Sequence, residues 1–233
     1  MVKTPELATE VTLQPIDIIG VDAAIIFSDI LVIPEALGMN YEMVESRGPS
    51  FDWTITDESD FNKLSKSDLS DKLSYVFEAL ALTKKELNGR VPVIGFAGAP
   101  WTIFSYMIEG SGSKTFSKAK KMLYTDAVLS HNLLEKITQS TILYLKAQIA
   151  AGADMVQIFD SWAQALSWDD YREFSHQYIQ QIIAGLQRKD IPVISFCKGS
   201  SVFAPLMAEA KPDVISIDWN VDLKDMKQRL PAG

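Results

Sequence analysis

Five short, almost uninterrupted apolar runs punctuate the chain: residues 23–29 (AAIIFSD), 91–98 (VPVIGFAG), 154–161 (DMVQIFDS), 191–197 (IPVISFC) and 213–219 (DVISIDW). Runs rich in Val, Ile and Phe that do not alternate with polar residues predict parallel strands covered on both faces. Helical periodicity fills the intervals. Thr4 and Pro5 predict a helix start, and Pro15 is expected to interrupt that helix. Residues 68–87 predict a helix stopped by Gly89, and 115–151 a pair of helices divided near Thr125 and Asp126. Residues 167–188 open with a capped, acidic S-W-D-D-Y turn, and 200–210 predict a shorter helix ended by Pro212. About sixty residues separate the first two runs, too many for one helix, and 41–44 with 51–55 predict a hairpin turning at Arg47, Gly48 and Pro49. Strands alternating with helices imply an α/β fold with a parallel sheet, either doubly wound or a (β/α)₈ barrel.

Composition adds limits. A formal net charge of -8 argues against nucleic acid or an anionic membrane as partner. The single cysteine, Cys197, excludes an internal disulfide and suits the reducing cytoplasm. The N-terminal MVKTPELATEV lacks the basic and apolar regions of a signal peptide, so none is expected. No apolar run approaches the ~18 residues of a membrane span.

Chemistry is expected where parallel folds place it, at the C-terminal strand ends. Ser28 and Asp29, Asp160 and Ser161, Lys198 and Asp218 all fall there. For each one, a helix cap or a paired loop charge is about as good a reading as a site. Asp29 stands out because it lies between Ile25, Ile26 and Phe27 and Ile30, Leu31 and Val32. A carboxylate in that setting needs partners, and it suits a ligand that brings N–H donors or develops positive charge.

Three stretches then carry a resemblance: PIDIIGVDAAIIFSDILVIPEALGM (15–39), GFAGAPWTIFSYMIEGSGS (95–113) and QIFDSWA (157–163). They closely resemble the uroporphyrinogen decarboxylases, over residues 4–220 and weakly across 52–70. The resemblance implies a (β/α)₈ TIM-type barrel, a homodimer, and no metal or organic cofactor. It implies removal of carboxylate from the four acetate side chains of uroporphyrinogen, giving coproporphyrinogen for haem synthesis. It places the key carboxylate at Asp29, an active-site tyrosine at Tyr106 hydrogen-bonded to Asp29, and a site serine at Ser161. Ile25, Phe27, Ser28, Phe96 and Gly98 would line the cleft.

Three family motifs are missing from the chain: R-Q-A-G-R-Y, which binds substrate carboxylates, and the late G-N-L-D-P and N-L-G-H-G segments. Residues 1–233 are therefore expected to be one partial barrel of about five of eight βα units, with the hairpin inserted around 40–56 and activity impaired by truncation. The alternative is a non-catalytic porphyrinogen-binding or association module. Arg47, Lys114 and Lys198 are the candidate cations at its mouth. His131 and His176 are expected to be solvated, Cys197 to be buried and inert, and Trp162 and Trp168 to pack. The Lys118, Lys120 and Lys121 cluster reads as a solvated face. Gly110 to Thr115 lacks the Gly before Lys that a phosphate loop needs.

Overall fold

The computed structural model describes residues 1–46, 48–65, 69, 71–187 and 190–230. The expected positions Arg47, Asp68, Ser70, Arg188 and Gly233 lie outside them. In chain order the elements are α1 (Pro5–Ile18), β1 (Ala24–Ile25), α2 (Val32–Ala36), β2 (Tyr41–Val44), β3 (Gly48–Phe51), α3 (Glu58–Phe61) and α4 (Ser74–Leu87). Then follow β4 (Val93–Gly98), α5 (Pro100–Glu109), α6 (Ser117–Thr125), α7 (Ala127–Ala150), β5 (Met155–Asp160) and a 3₁₀ turn (Ala163–Ala165). The last are α8 (Trp168–Tyr171), a π turn (Arg172–His176), α9 (Gln177–Gly185), β6 (Val193–Cys197), α10 (Ser200–Glu209), β7 (Val214–Ser216) and α11 (Leu223–Arg229).

Five strands form one parallel sheet in the order β1-β4-β5-β6-β7. The order never reverses, which is the pattern of a barrel wall; a doubly wound sheet has a switch point. Burial alternates along β5 and β6. Val156, Ile158, Val193 and Cys197 are buried under the helices, while Gln157, Phe159, Ile194 and Phe196 on the other face are only half-buried. The expectation of two covered faces therefore holds on the helical side, and the concave side stays partly open. Helices α1, α4, α5, α7 and α9 supply the covering side chains, with Trp101, Phe104, Leu80, Leu133 and Ile182 fully buried.

Several local expectations change. The first apolar run makes only two rungs with β4, at Ala24–Val93 and Ile25–Ile94, before the chain leaves the sheet. Pro15 does not interrupt α1, which continues to Ile18. A proline this near the helix end forfeits one backbone bond, and Ile16 remains buried. The second hairpin strand lies at Gly48–Phe51. The apolar residues beyond it are held by α5, with Ile55 N–H donating to the Met107 carbonyl at 3.1 Å. The fourth helix starts at Ser74, and the 167–188 pattern breaks into α8, the π turn and α9. The division at Thr125 is observed, and Asp126 caps α7 by accepting from Leu129 N–H at 3.0 Å.

Phe96 lies past the last β1–β4 rung, so its backbone groups need another partner. Gln148 of α7 supplies it. The side-chain Oε1 accepts from Phe96 N–H at 2.8 Å, and Nε2 donates to the Phe96 carbonyl at 2.9 Å. Gly95 makes room for this reach, since a Cβ there would lie 2.4 Å from Gln148 Oε1.

Candidate active site

The site is built where β1 leaves the sheet. Phe27 N–H no longer bonds a strand; it donates to Thr12 Oγ1 of α1 at 2.9 Å. Two residues later Asp29 Oδ1 accepts from Leu31 N–H at 2.9 Å, turning the chain into α2. Asp29 therefore follows the strand in an irregular, half-buried segment and does not belong to the strand itself. Its Oδ2 accepts from the Tyr41 hydroxyl at 2.8 Å. This corrects the expected partnership, because the tyrosine bonded to Asp29 is Tyr41 of the hairpin and not Tyr106.

Tyr106 is buried on the last turn of α5, its ring 6.1 Å from that of Trp162. Burial raises its phenol pKa, the Trp162 side chain opposes this, and the negative charge of Asp29 adds to it. Three more phenols feel the charge of Asp29. Burial, then Asp29, pushes Tyr41 far up. Burial, Glu35 and Asp29 push Tyr75 up to about 12. Burial raises Tyr144, with the Ser28 hydroxyl opposing. The one bonded to it, Tyr41, keeps its proton, and so do the others; all can only donate or accept as neutral groups.

Ile25, Phe27, Ser28, Phe96 and Ser161 line a single cavity of about 620 Å³, together with Phe159, Ile30 and the Val11, Thr12, Pro15 and Ile16 face of α1. Its walls are mostly apolar. Phe96 and Phe159 meet edge to face at 5.6 Å, and Phe159 and Phe196 at 5.8 Å. Asp29 is not in the lining; it sits between Ser28 and Ile30, which are. Gly98 lies behind the lining. A Cβ there would approach Ile103 to 2.6 Å and Ile30 to 3.2 Å, so only glycine lets Ile30 rest on β4.

Of the candidate cations, Lys198 has its Nζ 5.7 Å from the ring centroid of Trp162, next in sequence to Ser161, and neither Lys198 nor Trp162 lines the cavity. Lys114 is exposed, and Arg47 is outside the described residues. Asp218 ties its own loop to the turn after β6, accepting from Asn220 N–H at 3.2 Å and from Gly199 N–H at 2.7 Å. Cys197 is buried, which pushes its thiol well above the ordinary range. His176 corrects an expectation: it is 4% exposed rather than solvated, and burial lowers its pKa. Trp162 packs on Phe116 at 5.0 Å, and Trp168 stacks on Phe203 at 6.1 Å.

Asp160 is fully buried and points away from the cavity, under the helices. Oδ1 accepts from Thr102 Oγ1 at 2.7 Å and Oδ2 from Ser175 Oγ at 2.5 Å. Thr102 Oγ1 accepts in turn from Trp162 N–H at 3.2 Å, so the cluster anchors the loop that carries Ser161. Burial raises the Asp160 pKa from 3.8 to about 6, against the lowering effect of both hydroxyls. A raised folded-state pKa favours folding fully below the unfolded value and loses that contribution as pH rises through the folded one. Asp160→Asn cannot ionise. Its stability relative to the native chain should rise between pH ~4 and ~6, by up to about 3 kcal/mol. Urea midpoints of both proteins at pH 4.5 and 7 check this; an unchanged difference would count against it.

The geometry is therefore an apolar cavity at a strand end, bordered by one carboxylate that a phenol, Tyr41, holds in place. The model of the uroporphyrinogen decarboxylase family (URO-D) matches residues 1–232. The chain belongs to the uroporphyrinogen decarboxylase family. It is 50% identical over 230 residues to the uroporphyrinogen decarboxylase of Chlorobaculum parvum, covering 98% of this chain and 66% of that protein. It is 51% identical to the one from Chlorobium limicola over the same shares. The chain thus spans 66% of the length of these relatives. A solved methyltransferase from Methanosarcina mazei superposes with a TM-score of 0.84 at 21% identity, covering 97% of this chain and 66% of that one. That likeness shows the fold, an α/β barrel type. No helix among the described residues is long and apolar enough to cross a membrane.

Proposed function

We propose that the protein removes carbon dioxide from the four acetate side chains of uroporphyrinogen III, giving coproporphyrinogen III in the cytoplasmic route to haem. The observation that carries the reading is Asp29, half-buried beside an apolar cavity with one donor on each oxygen. A porphyrinogen is flexible enough to turn its pyrrole N–H groups together toward one anion. Asp29 accepts them.

Protonation of a pyrrole carbon then makes the ring an iminium-like cation. The bond to the departing carboxylate breaks, and its electron pair neutralises the ring. Carbon dioxide leaves, the exocyclic methylene takes a proton to become methyl, and the ring gives back the proton it gained. Each acetate therefore consumes one net proton. Asp29 stabilises the cation electrostatically, in a site where apolar walls exclude water. Phe27 and Phe96 present those walls, with Ile25 beside them. Tyr106 adds a neutral hydroxyl near Asp29, and Ser161 binds a substrate carboxylate. Residues 1–233 act as one partial barrel domain, and with the barrel complete the working assembly is a homodimer.

Incubation with uroporphyrinogen III tests the reading. The expected result is release of carbon dioxide with coproporphyrinogen as product. Binding of the macrocycle with no carbon dioxide released, by this chain and by a preparation extended to the full length of its relatives, would contradict it.

A further inference from the structure

The β2–β3 hairpin is the segment that strand–helix alternation does not require, and it delivers the hydroxyl bonded to Asp29. We propose that Tyr41 is a positioning residue, fixing the plane of the Asp29 carboxylate for the pyrrole N–H groups. The inference rests on the decarboxylase reading.

The final torsion of an aspartate is broad and soft. The Leu31 N–H bond restrains one oxygen from within the same turn and leaves the other free to swing about it. Tyr41 closes that freedom from a second element, 12 residues away. The anchor is itself anchored. The Tyr41 ring lies 5.3 Å from that of Phe51, its register partner across the hairpin. Phe51 N–H donates to the Gly110 carbonyl at 2.8 Å, at the end of the helix that carries Tyr106. Asp29 is thereby tied to α5 through the hairpin.

The groups facing Tyr41 suit a permanent donor. Asp29, Glu35 and Tyr75 all act to raise its phenol pKa, after burial. Glu35 is in turn paired with Lys3 at 2.5 Å. Tyr106 and Tyr144 also feel Asp29, and neither brings a positive charge. Tyr41 therefore keeps its proton and donates it toward Asp29 throughout the range in which a carboxylate works.

Tyr41→Phe keeps the ring and its contact with Phe51 and deletes only the hydroxyl. The test is affinity for coproporphyrinogen in the wild type, Tyr41→Phe, Asp29→Asn and the double variant. Tyr41→Phe should weaken binding about tenfold, the size expected for a hydrogen bond to a charged group. In the Asp29→Asn background the same change should have less than about a twofold effect, because the negative charge whose direction Tyr41 fixes is gone. Where turnover is measurable, kcat should fall more than KM rises. An equal effect of Tyr41→Phe in both backgrounds would show a merely structural role and overturn the inference. So would loss of binding in Asp29→Asn with none in Tyr41→Phe, and that result would leave the decarboxylase reading standing. Absence of binding by all four would overturn the reading and the inference with it.

Discussion

Asp29→Asn should reduce conversion of uroporphyrinogen by about 10³-fold, or to the background of the uncatalysed reaction. The substitution preserves shape. An asparagine oxygen can still accept from Leu31 N–H, and its amide can still meet the Tyr41 hydroxyl, which accepts as readily as it donates. What disappears is the negative charge opposite the protonated pyrrole. Preorganised groups aimed at developing charge in a water-excluded site are worth about 3–4 kcal/mol each, and each ~1.4 kcal/mol is a factor of ten in rate. The rate of coproporphyrinogen formation reads the effect, with a urea midpoint beside it to confirm the fold. A variant within tenfold of the wild type would mean that Asp29 does not carry the electrostatic role.

The largest effect on stability should come from Gln148→Leu. The residue is fully buried, and its amide is bonded to both backbone groups of Phe96. Leucine fills much the same volume but leaves a strand N–H and C=O buried without partners. Each orphaned group costs about 1–3 kcal/mol, offset in part by no longer burying the glutamine amide, so a net loss near 3 kcal/mol is expected. Because Phe96 lines the cavity, the loosened strand should also weaken coproporphyrinogen binding. Denaturant unfolding of the two proteins checks the first effect. A change under about 1 kcal/mol would show that β4 finds other partners.

Gln148 also marks what sequence can reveal. It falls four residues after Tyr144 and seven after Thr141, both buried, so helical spacing alone puts it on the core face of α7. A glutamine there signals a backbone group in need of a partner, although spacing does not say which one. Strands β4, β5 and β6 were legible because continuous apolar runs report burial and these runs were also paired. The first run was equally apolar and mostly unpaired, since burial and hydrogen bonding are separate facts. Residues 53–55 misled for a related reason: the pattern was right about contact, but the partner was α5 and not a strand. The π turn at Arg172–His176 left no trace in periodicity, and it hid the burial of His176.

For the site, Asp29 was legible twice, as an acid in apolar company and as the centre of a family-like motif. Asp160 was legible as a strand-end acid, but which face of the sheet it takes depends on the strand's register. Tyr41 was not legible as a site residue. Within the hairpin it reads as a strand residue, and only the three-dimensional turn of residues 27–31 brings Asp29 to it.

Whether Asp29 receives the pyrrole N–H groups of the macrocycle is tested most directly by a structure of the protein with coproporphyrinogen bound. At least two pyrrole nitrogens should lie within about 3.2 Å of the Asp29 carboxylate, with the macrocycle against Phe27 and Phe96. A macrocycle bound in the cavity with its pyrrole nitrogens turned away from Asp29, or bound outside the cavity altogether, would contradict this role of Asp29.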